Sequence, residues 1–207
     1  MLSCESKMLA RANSLYFPFA LTAALMAIGL FSSGLYIHAK ALVAQHLLER
    51  SWQRVVNGEH AATEIRPWPW ADTYPVAKMN FSRKQHSAIV LHGASGEALA
   101  FGPAHLSRTA LPGEIGNSVI AGHRDTHFQV LQSLRVGDRI EIERAAKGTM
   151  YCQVTATWIV NENDITVLED LDAPALTLIT CYPFDAKVPG GPLRFIVRAR
   201  AVDAKSV

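Results

Sequence analysis

The sequence predicts a mostly β protein, a closed or nearly closed antiparallel barrel with short helices, preceded by one N-terminal transmembrane helix. Two observations lead there. Beyond Trp70, short runs of β-branched and apolar residues recur at regular spacing, separated by glycine- and proline-containing turns. Before it, Phe17–Ile37 contains no charged residue, and about 20 such residues suffice to cross a bilayer as a helix. A barrel is favoured over an open sheet because closure leaves no strand edge unpaired.

Composition limits the function. A chain of 207 residues fits one domain with an appendage, and 49% hydrophobic residues supply a core. Lys+Arg 20 against Asp+Glu 18 gives a net charge of +2 with no basic run, which argues against a nucleic-acid partner. Three cysteines without a CxxC pair exclude a zinc ribbon or a thioredoxin-type site.

The N-terminal elements follow in order. Residues 1–16 carry Lys7 and Arg11 and are expected to stay in the cytoplasm, although Lys40 beyond the span weakens that asymmetry. Residues 17–37 read as a signal anchor. The rival is a cleaved signal peptide, since Ala39-Lys40-Ala41 fits the cleavage pattern, but signal-peptide apolar regions run only about 7–15 residues. Cys4 precedes the span and reads as a reduced thiol of no consequence. Residues 38–66 read as a juxtamembrane helix and linker, with Leu42, Val43, Leu47, Leu48, Trp52, Val55 and Val56 at helical spacing. Packing on the domain and lying at the membrane surface both remain open for it. Pro67-Trp68-Pro69-Trp70 marks the boundary to the barrel domain, residues 67–207.

Within that domain the predicted strands are Val76–Asn80, Ser87–His92, Gly116–Ala121, Asp138–Arg144, Thr149–Val160, Ala175–Cys181 and Leu193–Val202. His127–Leu134 and Glu162–Leu171 read as short helices or loops. One strand stands out because it ends on Cys181, beside the loop of Pro183 and Gly190-Gly191-Pro192. An antiparallel return through Leu193–Val202 makes Arg194 its neighbour. A reactive cysteine needs a partner that favours its thiolate, most often histidine. Of the eight histidines, His123 ends another apolar run at a glycine break, Val119-Ile120-Ala121-Gly122-His123.

These residues carry a resemblance. Thr177-Leu178-Ile179-Thr180-Cys181, with Ala121-Gly122-His123-Arg124-Asp125 upstream and Arg194 downstream, resembles the sortase family of cysteine transpeptidases. The strings AGHRDTHF from Ala121 and CYPFDAKVPGGPLR from Cys181 are similar to the class D-like subgroup of Gram-negative bacteria. The similarity runs from about Trp68 to the C-terminus. It implies an eight-stranded barrel, held by its anchor on the periplasmic side of the inner membrane. It also implies an exported protein substrate whose Leu-Pro-x-Thr-Gly-like C-terminal signal is cut between Thr and Gly. The acyl group then passes from a Cys181 thioester to an amine acceptor. His123 would serve the leaving and incoming amines, and Arg194 would stabilise the oxyanion. Thr180 is expected to position the substrate or Arg194, or simply to pack; Asp125 to orient a basic group. No metal or organic cofactor is expected.

Blander readings stand beside these. Cys181 could be a buried thiol or pair with Cys152, although Tyr151-Cys152-Gln153-Val154 reads as core. His123 and His127 share the spacing of a helical zinc motif, yet its glutamate is missing and Gly122 ends a strand. His38, His46, His60, His86, His92 and His105 are expected in solvent or linkers, and Arg198 and Arg200 on a solvated face. Among whole-protein rivals, a cysteine endopeptidase differs in letting water resolve the thioester. An L,D-transpeptidase lacks its Ser-His-Gly-Cys motif here, and a non-catalytic anchored binding module would not trap an acyl group.

Overall fold

Residues two apart share a strand face, and that period builds the barrel. In this computed structural model, Ala77, Met79 and Phe81 of β1 (Pro75–Phe81) are buried while the residues between them are half-exposed. The structure describes residues 2–59, 62–82 and 85–203, with the side chains of 2–17, 33, 37 and 62 excepted. The expectation for the Cys4 thiol therefore concerns a side chain that is not described, and that for His60 lies outside the described residues.

After β1 come β2 (His86–His92), the short helix α2 (Gly96–Phe101), β3 (Ala104–His105), β4 (Asn117–Ala121), β5 (Arg139–Arg144), β6 (Gly148–Asn161), β7 (Ala175–Tyr182) and β8 (Leu193–Val202). The strands close in the order β1-β2-β3-β4-β7-β8-β6-β5. Seven of them fall where the sequence pattern puts them. The eighth, β3, is two residues long, too short for any alternation to show. The barrel is not wholly antiparallel: β2 pairs with β3, and β4 with β7, in parallel. Both expected helix-or-loop stretches contain single 3-10 turns, Gln129–Ser133 and Ile165–Leu168.

Met79, Phe81, Ile120, Phe128, Leu131, Ile140, Ile142, Leu176, Leu178 and Val197 fill the interior. Cys152 lies among them, fully buried and free, as its strand pattern suggests. The register of β6 against β8 shifts between Val154 and Ala156, an extra residue that exchanges the faces of the rest of the strand. Val154 is a core residue, whereas Trp158 beyond the shift stands outside, level with Ile196 and against Arg198.

The chain divides into two units, residues 1–43 and 44–207. The first is helical: the N-terminal helix α1 runs Leu2–Val56 and holds a 39-residue segment, Pro18–Val56, long and apolar enough to cross a membrane. In the second unit, Ala44, Leu48, Trp52 and Val55 are buried against Ile65, Trp68, Ile89, Leu91, Ala98 and Ala104. The juxtamembrane segment thus joins the barrel's own packing rather than stopping at a linker. Trp68 sits edge-on to Phe101, with ring centroids 4.7 Å apart, while Trp70 is exposed.

Candidate active site

β7 lies between β4 on one side and β8 on the other, and the site is built across these three strands. Leu176 and Leu178 face the core and Thr180 is buried, so alternation turns Cys181 to the outer face, where it is half-buried. The antiparallel register pairs Cys181 directly with Arg194. On the other side, the parallel register pairs Ala121 with Ile179, and extending it two residues brings His123 level with Cys181. Pairing does continue past the strand: the Gly122 amide donates to Ile179 at 3.1 Å. One end of the barrel therefore carries imidazole, thiol and guanidinium on neighbouring strands.

Local sequence explains how each is held. A Cβ on Gly122 would come within 2.8 Å of the Phe128 ring, so only glycine lets the turn after β4 close over that buried aromatic. The Phe128 amide donates to the His123 carbonyl at 3.0 Å and completes the turn. Thr180 Oγ1 donates to the Gly122 carbonyl at 2.7 Å. Thr180 therefore fastens the residue before His123. Asp125 is exposed in the turn and makes no hydrogen bond or ion pair among the described residues.

Arg194 is tied down at several points. Its Nη1 donates to the carbonyls of Gly191 at 2.6 Å and Leu193 at 2.9 Å, and Nη2 to Glu162 Oε2 at 2.7 Å. Among the described residues Nε and the second Nη2 proton have no partner, which leaves donors for a carbonyl oxygen. Pattern reading missed Glu162, because nothing marks a charged residue just after a strand as the partner of one 32 positions later.

The outer face below Cys181 is covered. Buried Asn117 donates through Nδ2 to the carbonyls of Val167 (2.9 Å) and Glu169 (3.0 Å), and accepts from Thr177 Oγ1 at 2.6 Å. Arg198 is not solvated as expected: its Nη2 donates to Val167 O at 3.3 Å and its guanidinium lies 5.7 Å from the Trp158 ring centre. Burial, then Arg200, holds it below the usual arginine range. These contacts seat the β6–β7 connection on the sheet, closing the outer face at one end and leaving it open at Cys181.

The remaining cysteine and histidines sort themselves by environment. Burial pushes the Cys152 thiol up to about 12, which removes it as a nucleophile. His105 is buried rather than in solvent, with Nε2 on the Ala110 carbonyl at 2.9 Å and Nδ1 without a partner among the described residues. His92 stacks on Tyr74, with centroids 4.6 Å apart, and His86 Nε2 meets the His127 carbonyl at 3.1 Å. Burial, then the nearby His86 and His123, holds His127 below the usual histidine range.

Fold and constellation define a class of protein, a closed β-barrel with a cysteine–histidine–arginine cluster at one end. The Sortase domain profile matches residues 79–202, more than half of the chain, and the chain belongs to the sortase family. It is 30% identical over 114 residues to Sortase D of Bacillus subtilis, covering 55% of this chain and 57% of that protein's length. Among solved structures it resembles a Clostridium perfringens Sortase D5 transpeptidase, with a TM-score of 0.64 and 24% identity over 78% of this chain and 99% of that one. Sortase A from Corynebacterium diphtheriae gives a TM-score of 0.59 and 26% identity over 77% and 84% of the two chains.

Proposed function

We propose that the protein is a membrane-anchored cysteine transpeptidase acting on exported proteins with a Leu-Pro-x-Thr-Gly-like C-terminal signal. The observation that carries this reading is the strand arithmetic at the barrel end, with His123 and Arg194 flanking Cys181 from the two strands beside it. In this mechanism the Cys181 thiolate attacks the carbonyl carbon of the signal's Thr–Gly bond. Arg194 donates to the resulting oxyanion through the protons that Gly191, Leu193 and Glu162 leave unused; loss of one such donor typically costs about 100–1,000-fold in rate. His123 gives a proton to the departing glycine amine as the C–N bond breaks, leaving an acyl thioester on Cys181. It then takes a proton from an incoming amine, which attacks the thioester and releases the thiolate. The thioester keeps the acyl group activated for transfer, where hydrolysis would lose it.

The apolar helix α1 is the proposed anchor, with residues 1–16 cytoplasmic, 17–37 in the bilayer and the barrel on the periplasmic side of a Gram-negative inner membrane. C-terminal reporter fusions active only in the cytoplasm would overturn that topology. The chemistry is tested by mass spectrometry of the protein with a Leu-Pro-x-Thr-Gly peptide, with and without a small amine. An adduct on Cys181 that becomes amide product is the expected result. Hydrolysis alone at saturating amine would favour an endopeptidase, and cleavage by Cys181→Ala would sink the assignment.

A further inference from the structure

Arg124, the residue after His123, is buried. Burying a guanidinium is costly unless its donors are matched. Here the matches are main-chain carbonyls of alternate residues in the loop between β7 and β8: Nη2 donates to Ala186 at 3.1 Å and Val188 at 2.5 Å, and Nη1 to Gly190 at 3.3 Å. Phe184 anchors the start of that loop on the core and the Glu162 amide holds the Pro192 carbonyl at its end, but the stretch from Asp185 to Gly190 between them has little else to hold it. Most of its side chains from Pro183 to Pro192 are exposed, and its own backbone supplies one long bond, Ala186 to Pro183 at 3.4 Å. Gly190 and Gly191 adopt φ of 82° and 100°, a region open mainly to glycine. The two carbonyls there go to different arginines, Gly190 to Arg124 and Gly191 to Arg194.

We propose that Arg124 is the positioning residue of this site: its guanidinium fastens the His123 turn to the loop that joins Cys181 to Arg194. The adjacent pair thus divides two tasks. His123 carries the exchanging proton, while Arg124 touches no reacting atom and fixes the distance across which that proton moves. When substrate enters the open end of the groove, the loop beside Cys181 cannot swing away without breaking three charge-assisted hydrogen bonds together. The role in turnover rests on the transpeptidase reading above; the clamp itself does not.

The test uses the full-length chain in detergent and the variants Arg124→Met and Arg124→Lys. Steady-state cleavage of a Leu-Pro-x-Thr-Gly peptide, thermal melting, and the rate of tryptic cleavage at Lys187–Val188 inside the loop are measured together. Arg124→Met is expected to lower kcat about 100-fold while KM moves by less than about threefold, because misplacement by about 1 Å costs that much without removing a binding contact. Its Lys187–Val188 bond should be cut about tenfold faster, while melting stays cooperative above the assay temperature. Arg124→Lys keeps the charge but puts its donors on a single nitrogen, so it should recover only part of kcat. Faster loop cleavage with unchanged kcat would make Arg124 a structural residue only, and no change in either would remove the clamp altogether. If Arg124→Met does not melt cooperatively, Arg124→Lys decides: lowered kcat with intact melting supports the role, wild-type kcat overturns it. If the wild-type protein neither cleaves nor is acylated by the peptide, the transpeptidase reading fails, and the tryptic rates still decide whether Arg124 orders the loop.

Discussion

Thr180→Val isolates one atom that links fold to chemistry. Thr180 is 2% exposed and its hydroxyl donates at 2.7 Å to Gly122, the residue before His123. Valine keeps the branched shape and the buried volume, so the change is the loss of one hydrogen bond and a carbonyl left without that donor. The bond contributes about 1 kcal/mol net, and a buried acceptor left unmatched costs about 1–3 kcal/mol, so roughly 1–3 kcal/mol is expected. In a domain of this size each kcal/mol lowers Tm by about 2–4 °C, which predicts a fall of roughly 2–12 °C. Domains typically retain about 5–15 kcal/mol, so the variant stays folded at 25 °C and any loss of rate there is not unfolding. Because the hydroxyl holds the turn that carries His123, kcat should fall about tenfold or more. Thr180→Ser keeps the hydroxyl and should retain most activity, with melting by calorimetry and peptide cleavage measured on both. A Thr180→Val variant with the wild-type rate, or a Thr180→Ser variant that loses more rate than Thr180→Val, would refute the reasoning, since the hydroxyl would then not carry the effect.

Arg194→Lys should lose most cleavage activity, because an ammonium cannot meet Gly191, Leu193 and Glu162 and still offer a planar fork to an oxyanion. Glu162→Gln keeps a hydrogen-bond acceptor beside Arg194 and should cost less than Arg194→Lys in kcat/KM; a larger loss would mean the carboxylate acts independently of Arg194. A chain begun at Ala61 would lack Leu48, Trp52 and Val55, each fully buried side chain being worth about 1.5–3 kcal/mol, so it should melt lower and aggregate more than one begun at Ala41. Equal melting of the two would show that the helix packing is dispensable. Stability should also fall on acidification. Burial first, and neighbouring histidines with it, depresses His105 and His127 in the fold, so below the ordinary value of about 6.5 the unfolded chain takes up protons that the folded one refuses. Among the described residues, His105 has no acceptor for a proton on Nδ1. Tm should hold above pH 6.5 and drop below it, less steeply in His105→Gln, and a Tm that rises between pH 6.5 and 5.5 would contradict this account.

The strands and the end that gathers cysteine, histidine and arginine were legible because both are local signals. Period-two burial writes seven strands into the chain, and Cys181, His123 and Arg194 stand out by lying at strand termini beside glycine or proline. What stayed hidden depends on contacts between distant segments. Arg198 looks like one of a row of solvated cations until Trp158 is turned toward it by a register shift in the neighbouring strand, β6. His105 looks like a loop residue because β3 is only Ala104–His105. Thr180 and Arg124 both act through main-chain carbonyls, of Gly122 in one case and of Ala186, Val188 and Gly190 in the other, and a carbonyl leaves no mark on the sequence.

The departure from an all-antiparallel barrel is what makes the site possible. Cys181 lies in the last two residues of its strand and His123 two residues past the end of its own, so the strands must run the same way for the two ends to meet. Had β4 run against β7, its five residues, rising about 3.3 Å each, would have carried His123 roughly 15–20 Å to the other end of the barrel. Arg194 opens its strand, so the opposite holds for it: only antiparallel pairing brings the start of β8 to the end of β7. A parallel neighbour on one side and an antiparallel neighbour on the other is therefore the arrangement these three positions demand. The parallel pair also needs a long crossover, since a two-residue hairpin can join only antiparallel strands. The chain between Ala121 and Ala175 meets that need with β5, β6 and the covering connection that ends in Val167 and Glu169. The segment that lets His123 and Cys181 meet is thus the same one that supplies Glu162 to Arg194 and closes the groove below the thiol.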